Sequence, residues 1–320
     1  MSRSGPTRFS HQGLEDRVIE PSRAAGAALE RHWRDYIHLM RPRQWVKNAL
    51  CLAPLLFARR VGMGASVLEA GLVALAFTLL ASGTYAVNDA ADYRADRLHA
   101  GKRLRPVAAG AIHPARARAF GLLLMAAGLG AAATVNLAVL GIAGAYVASN
   151  LAYNAGLKRV PLLDALLVSL GFVLRAAAGA LGIGVALSQW LGICTLLLSL
   201  LLTFAKRRQE LNVLAADAAR HRSALGGYTV AFLDQMLAAL LGATLVSYAL
   251  YTVASGSGIF MDLSLVLVVF GLSRYLYLVS VAGAGGAPEE ALLTDKPLFI
   301  SVAAWVACCA LALYVPLGLV

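Results

Sequence analysis

The stretch Asn88-Asp-Ala-Ala-Asp-Tyr-Arg-Ala-Asp-Arg97 closes an apolar run that begins near residue 67. Its three acids, Asp89, Asp92 and Asp96, are spaced i, i+3, i+7. At 100° per residue a helix carries them within about 60° of one another, on a single stripe. Three like charges on one stripe repel and weaken the helix that holds them. A hard divalent cation removes that repulsion. Mg²⁺ suits the arrangement, because it binds through one or two carboxylates and keeps waters and substrate phosphates as its other ligands. Asn88 adds a neutral oxygen beside them. The bland alternative is a solvated helix end whose acids pair with Arg94 and Arg97. The run before the acids, 67–87, is about as long as a helix needs to cross a bilayer, so the acids stand where that helix leaves it.

Moving outward, the same alternation recurs along the chain. No charged residue occurs between Ala119 and Leu157, in Ala176–Ala205, in Gln235–Met261, or after Pro297. Apolar stretches near 44–59, 67–87, 115–135, 137–153, 162–181, 188–204, 229–251, 260–281 and 298–318 predict an all-α integral membrane protein with nine transmembrane helices. Composition agrees: of 320 residues, 59% are hydrophobic and 14% charged, and the mean hydropathy is +0.70. A soluble domain carries about 25% charged residues, and no aqueous core could hide this much apolar surface. Soluble, secreted and disordered classes are excluded. Residues 1–30 are polar, with no apolar run to serve as a signal peptide, and read as a disordered cytoplasmic tail. An interfacial helix near Ala27–Met40 follows, with Trp33 and Tyr36 at headgroup level. Residues 31–320 then form one transmembrane domain. Cys51, Cys194, Cys308 and Cys309 lie in apolar runs without metal-ligand spacing and read as small buried hydrophobes.

The cationic residues sort by loop. They precede the first expected span, follow the second (Arg94 to Arg118), the fourth (Lys158, Arg159) and the sixth (Lys206 to Arg222), while Arg59 and Arg60 sit on the opposite side. The positive-inside rule puts the amino terminus and the aspartate-rich end in the cytoplasm. The net charge of +11 is thus topological, and nothing points to nucleic acid.

Several cations enter the candidate site from this side, each with two readings. Arg41, Arg43, Lys47 and Asn48 either clamp phosphate or anchor the chain to anionic headgroups. Lys102, Arg103 and Arg105 either cover a bound diphosphate or are surface charge. Lys206 either meets phosphate or pairs with Glu210, four residues on. Asp164 and Arg175 share a helix face about 16 Å apart along the axis. A lone guanidinium at the depth of Arg175 costs at least ~2.5 kcal/mol, so it either faces a cavity and an anion or pairs with a carboxylate or carbonyls. Arg274 carries the same argument nearer the cytoplasmic end.

The pattern Asn-Asp-x-x-Asp-x-x-x-Asp after the second span resembles the first aspartate-rich motif of the UbiA prenyltransferase superfamily. Arg41-Pro-Arg-Gln-Trp-Val-Lys-Asn48, Lys102-Arg-Leu-Arg-Pro-Val-Ala-Ala-Gly110, Tyr153-Asn-Ala-Gly-Leu-Lys158 and Gly171-Phe-Val-Leu-Arg-Ala176 resemble its decaprenyl-phosphate phosphoribosyltransferase branch. The likeness covers about residues 38–300. It departs at the second motif of the superfamily, where Tyr153 and Lys158 stand one residue further apart than usual, followed by a lone Asp164. The resemblance implies nine helices around a cytoplasm-facing cavity in a bacterial-type inner membrane. It implies Mg²⁺ at Asn88, Asp89, Asp92 and Asp96, with Tyr153 and Lys158 beside the acids as catalytic groups. It also implies transfer of 5-phosphoribose from phosphoribosyl diphosphate to a polyprenyl (decaprenyl) phosphate, with release of diphosphate. Arg41, Lys47, Asn48, Lys102, Arg103, Arg105, Asp164, Arg175, Lys206 and Arg274 are the expected phosphate-binding set. Two other activities stay open: a polyprenyl diphosphate-dependent prenyltransferase acting on an aromatic or other small acceptor, and a cation-coupled transporter. Membrane lipids are the surroundings, and a homo-oligomer is compatible with the sequence.

Overall fold

In a computed structural model of the chain, residues 33–98, 101–214, 223–256, 258–283 and 287–315 are described. Among them eight helices are long and apolar enough to cross a membrane. They are α1 (Gly64–Arg97), α2 (Pro114–Val135), α3 (Leu137–Ala155), α4 (Leu163–Gly182), α5 (Gln189–Leu214), α6 (Val230–Ser255), α7 (Ile259–Ser280) and α8 (Lys296–Tyr314). No strand occurs among the described residues.

The count is one fewer than the nine expected. The segment read as the first span, 44–59, is a 3₁₀ helix over Pro42–Leu52 followed by a five-residue α-helix, Ala53–Phe57. A 3₁₀ helix rises about 2.0 Å per residue against about 1.5 Å in an α-helix, so residues 42–57 reach about 30 Å, close to the thickness of a bilayer core. The hydrophobic pattern that suggested a short α-helical span could not distinguish the two geometries. The tail expected over 1–30 lies outside the described residues, as does the start of the interfacial helix. Residues 33–40 are helical. Trp33 is exposed, whereas Tyr36 packs edge-on against Phe120.

Local chemistry sets where the helices begin. Asn136 caps α3, accepting from the Val139 N–H at 2.8 Å while its amide donates to Leu181 O at 3.0 Å. Thr229 caps α6 through the Phe232 N–H, and Asp295 caps α8 through the Leu298 N–H. Each such cap is worth about 1 kcal/mol. Helix α1 runs through the aspartates without a break. Its 34 residues span about 51 Å, well beyond a hydrocarbon core of about 30 Å, so the acidic end projects past the apolar layer.

Packing falls into two main clusters. Val73, Phe77, Leu80, Met125, Ala143 and Ala178 join α1 to α4, and Leu201, Phe204, Leu233, Leu237, Tyr275 and Leu278 join α5, α6 and α7. Glycines allow the closest approaches. A Cβ at Gly83 would lie 2.6 Å from Gly121 O on α2, and one at Gly179 would collide with Cys51 O. The second contact seats the 3₁₀ segment directly on α4. Outside, Leu68, Leu123, Val266 and Ile300 are largely exposed, as expected of surfaces whose solvent is lipid. Between the two clusters a cavity is left.

Candidate active site

The cavity has a volume of about 1000 Å³ and takes its wall from all eight helices except α2, together with the 3₁₀ segment and the loops at the charged end. Nine arginines and lysines line it against four carboxylates. Such a surplus gives the cavity a positive potential of the kind that draws anions.

At the aspartate-rich end each acid is held by a cation. Arg41 Nη2 donates to Asp89 Oδ1 at 2.5 Å. Arg105 Nη1 is shared between Asp89 Oδ1, at 3.1 Å, and Asp96 Oδ2, at 2.7 Å. Lys158 Nζ donates to Asp92 Oδ2 at 2.7 Å. Arg41 reaches this position from a left-handed backbone, φ 56°, at the start of the 3₁₀ helix, and its guanidinium lies over the Tyr85 ring. Asp89 is buried beneath Arg41 and Arg105 and does not line the cavity, whereas Asn88, Asp92 and Asp96 do. Among the described residues no three Asp, Glu, His or Cys side chains are grouped so as to hold a metal by themselves. The donors facing the cavity are hard oxygens, one amide and two carboxylates. That set fits Mg²⁺ delivered with a phosphorylated substrate, because this ion takes one or two carboxylates and completes its shell with phosphate and water.

A second polar region lies deeper. Arg175 is 5% exposed and, among the described residues, its hydrogen-bond partners include no carboxylate. Its Nε donates to Asn48 Oδ1 at 2.8 Å, Nη1 to Gly171 O at 3.0 Å and Nη2 to Tyr146 Oη at 2.8 Å. The ring faces of Tyr146 and Phe172 flank it. All three acceptors are neutral, so the charge is solvated but not cancelled, and it faces the cavity. Lys47 and Lys206 line the same cavity. Glu289 comes from the seven-residue helix Pro288–Thr294. Gln44 Nε2 donates to its Oε1 at 2.6 Å, and Lys47 Nζ lies 3.4 Å from Oε2. Burial alone would raise the Glu289 carboxyl, but the Lys47 charge and the Gln44 hydrogen bond outweigh it and hold the group below the ordinary carboxylate range.

Tyr153 and Lys102 also line the cavity. Four residues expected at phosphate are placed elsewhere. Asn48, 2% exposed, is not in the cavity wall and instead accepts from Arg175 Nε. Asp164, fully buried, accepts from Arg207 Nε at 2.9 Å and from the Tyr228 hydroxyl at 2.8 Å. The Leu162 N–H donates to Tyr228 Oη. A carboxylate in that position holds Arg207 at the cavity wall and pins the turn that follows Lys158. Arg274 pairs with Asp295 through two hydrogen bonds, 2.8 and 3.2 Å, and so ties α7 to the start of α8. Arg103 is exposed on the short turn Lys102–Leu104, away from the cavity lining.

Sequence reasoning passed over Gln44, Tyr146 and Glu289. Tyr146 carried a signal, a hydroxyl four residues before Asn150 inside an uncharged span. Glu289 carried little, being an acid in a loop 245 residues from its partner Gln44. The far end of the cavity is apolar and aromatic, with Phe57, Tyr251 and Trp305 in its wall.

Comparison with known proteins agrees with this architecture. Residues 50–302 match the UbiA prenyltransferase family. The chain is 36% identical to a decaprenyl-phosphate phosphoribosyltransferase of Corynebacterium glutamicum over 288 residues, 87% of this chain and 86% of that one. It is 35% identical to the protein of the same name from Mycolicibacterium smegmatis, covering 87% and 92% of the two chains. Among solved structures, a UbiA homolog from Archaeoglobus fulgidus bound to GPP and Mg²⁺ superposes with a TM-score of 0.69 at 19% identity, covering 87% of this chain and 99% of that one.

Proposed function

This chain belongs to the UbiA prenyltransferase family and is a multi-pass, membrane-bound transferase, and on that premise we propose that it transfers 5-phosphoribose from phosphoribosyl diphosphate to a polyprenyl phosphate. The product is a polyprenyl-phosphoryl 5-phosphoribose, with diphosphate released. The reaction takes place at the cytoplasmic side of a bacterial inner membrane, where the positive-inside rule puts the charged end. One observation carries the reading: similarity along nearly the whole chain to relatives named for this reaction. The cavity supports it, since its cation surplus suits two phosphate-bearing substrates and its aromatic end suits an isoprenoid.

The residues at the aspartate-rich end bind the donor diphosphate: Arg105 and Lys158 would contact it directly, and Asn88, Asp92 and Asp96 would hold Mg²⁺ beside it. When bound, that ion neutralises the diphosphate and makes it a better leaving group. Arg175, Lys47 and Lys206 hold the lipid phosphate, and the Tyr153 hydroxyl helps to orient it. The bond from ribose C1 to the diphosphate oxygen breaks with its electron pair leaving on diphosphate. An ionised oxygen of the lipid phosphate forms the new C1–O bond. Positive charge builds on the sugar ring between the two events, as at other glycosyl centres. No proton changes hands, so no general base is required. The protein's contribution is orientation and fixed positive charge in a water-poor cavity. Asp89 acts from behind, held by Arg41 and fixing Arg105 where it meets the donor.

The test is transfer of labelled phosphoribose into the lipid phase, dependent on Mg²⁺. A second reading, prenylation of an aromatic acceptor by a prenyl diphosphate, draws on the aromatic end of the cavity. It would appear as prenyl label on the acceptor and none in phosphoribosyl lipid.

A further inference from the structure

Of the two cavity carboxylates that this chemistry leaves unused, Glu210 pairs with Arg207 at 3.0 Å, which leaves Glu289. It belongs neither to the aspartate-rich motif nor to α1, yet it lines the same cavity. It is 7% exposed. Gln44 satisfies Oε1, but Oε2 is buried without a hydrogen bond, and its nearest cation, Lys47 Nζ, stands 3.4 Å away. A buried carboxylate oxygen whose one cation stands 3.4 Å away is only loosely met, and a purely structural ion pair would be expected to close to hydrogen-bond length. A negative charge inside an anion site also repels phosphate, so its presence there calls for a ligand group that donates.

The two substrates offer few donors. The diphosphate, the 5-phosphate and the lipid phosphate present acceptor oxygens when ionised, and an isoprenoid tail presents nothing polar. The ribose hydroxyls remain. A carboxylate accepting from a ribose hydroxyl is a familiar solution in nucleotide sites. We infer that Glu289 is a substrate-binding residue that accepts a hydrogen bond from a ribose hydroxyl of the donor, and so selects a sugar diphosphate over a prenyl diphosphate. The inference rests on the phosphoribosyl reading given above. Gln44 and Lys47 then have a second task. They hold the carboxylate ionised and aimed, and they fasten its short helix to the 3₁₀ segment.

The experiment uses the full chain in detergent or nanodiscs with Mg²⁺ and decaprenyl phosphate. The donors are phosphoribosyl diphosphate and its 2-deoxy and 3-deoxy analogues. In the wild type one deoxy donor should lose at least about tenfold in kcat/KM, because a charge-assisted hydrogen bond to the missing hydroxyl is lost. In Glu289→Gln and Glu289→Ala the ribose donor should weaken and the deoxy penalty should shrink to about twofold or less. A structural role would instead slow all three donors equally, leaving the penalty intact, and that result overturns the assignment. So does a wild type indifferent to both deoxy donors. If neither variant folds, a cryo-EM map of the wild type with donor and Mg²⁺ decides. A ribose oxygen within hydrogen-bond distance of Glu289 supports the contact, and a separation beyond about 4 Å overturns it. A wild type that transfers no phosphoribose at all removes the function and this inference together, whereas normal transfer with an unchanged penalty removes only this one.

Discussion

Replacing Arg175 by Gln tests whether the deep guanidinium is there for a ligand. The substitution deletes a charge that is 5% exposed but keeps an amide that can still donate to Asn48 Oδ1 or Gly171 O, both now within 3.0 Å of the guanidinium. Folding should survive. The lost hydrogen bonds are neutral-acceptor bonds worth about 1 kcal/mol each, and their loss is partly offset because an uncancelled charge no longer has to be buried. Binding should not survive unchanged. A charge-assisted contact to phosphate contributes about 1.5–3 kcal/mol, so KM for at least one phosphorylated substrate should rise about 10- to 150-fold. Arg175→Lys, which keeps the charge but not the three-way geometry, should fall between the two. The assay is steady-state transfer with each substrate varied in turn, beside a thermal melt of each variant. A well-folded Arg175→Gln with both KM values within about twofold of wild type would show that Arg175 merely joins α4 to Asn48 and Tyr146.

Other consequences follow from the same contacts. Asp92→Asn, at a half-buried site whose partner is Lys158, should abolish Mg²⁺-dependent transfer without lowering the melting temperature, and wild-type turnover would remove Asp92 from the metal site. Gly179→Val should cost about 1–3 kcal/mol or prevent folding, since a Cβ there would collide with Cys51 O; an unshifted melt would mean that the 3₁₀ segment does not seat on α4. Tyr228→Phe removes the hydroxyl that joins Asp164 to the Leu162 N–H and should lower stability by about 1–3 kcal/mol, read from the melt against wild type. For Glu289 the sign is set by a carboxyl held below its ordinary value near 4.5. Its ionised form stabilises the fold above that value, and the contribution disappears as pH falls through the lowered one. Glu289→Gln should therefore be less stable than wild type at neutral pH and converge with it in acid, whereas a melting difference that stays constant with pH would contradict the pairing.

Much of the bundle could be read from uncharged runs bounded by charge, because a bilayer leaves no other use for 20 apolar residues. The exception was 44–59. Pro42 opens its 3₁₀ helix and Pro54 lies in the first turn of the α-helix that follows, and no hydrophobic period distinguishes a 3₁₀ helix with a longer rise from a short α-helix. In the site, the stripe of Asp89, Asp92 and Asp96 was visible because it depends only on helix geometry. Which of the three faces the cavity was not, since Arg41 and Arg105 reach Asp89 from separate segments and cover it. Asp164 and Arg175 show the same limit. They share a face of one helix, yet α5 supplies a cation to one and the 3₁₀ segment supplies a neutral amide to the other. Glu289 lay out of reach for the same reason, its meaning resting on Gln44 and Lys47 at the other end of the chain.

The most direct measurement gives the purified chain labelled phosphoribosyl diphosphate, decaprenyl phosphate and Mg²⁺, and follows label into the organic phase. The account predicts transfer that needs the metal and both substrates and is lost in Asp92→Asn. Absence of label in the lipid, together with labelling of an aromatic acceptor from a polyprenyl diphosphate, would keep the fold and contradict the assigned substrates.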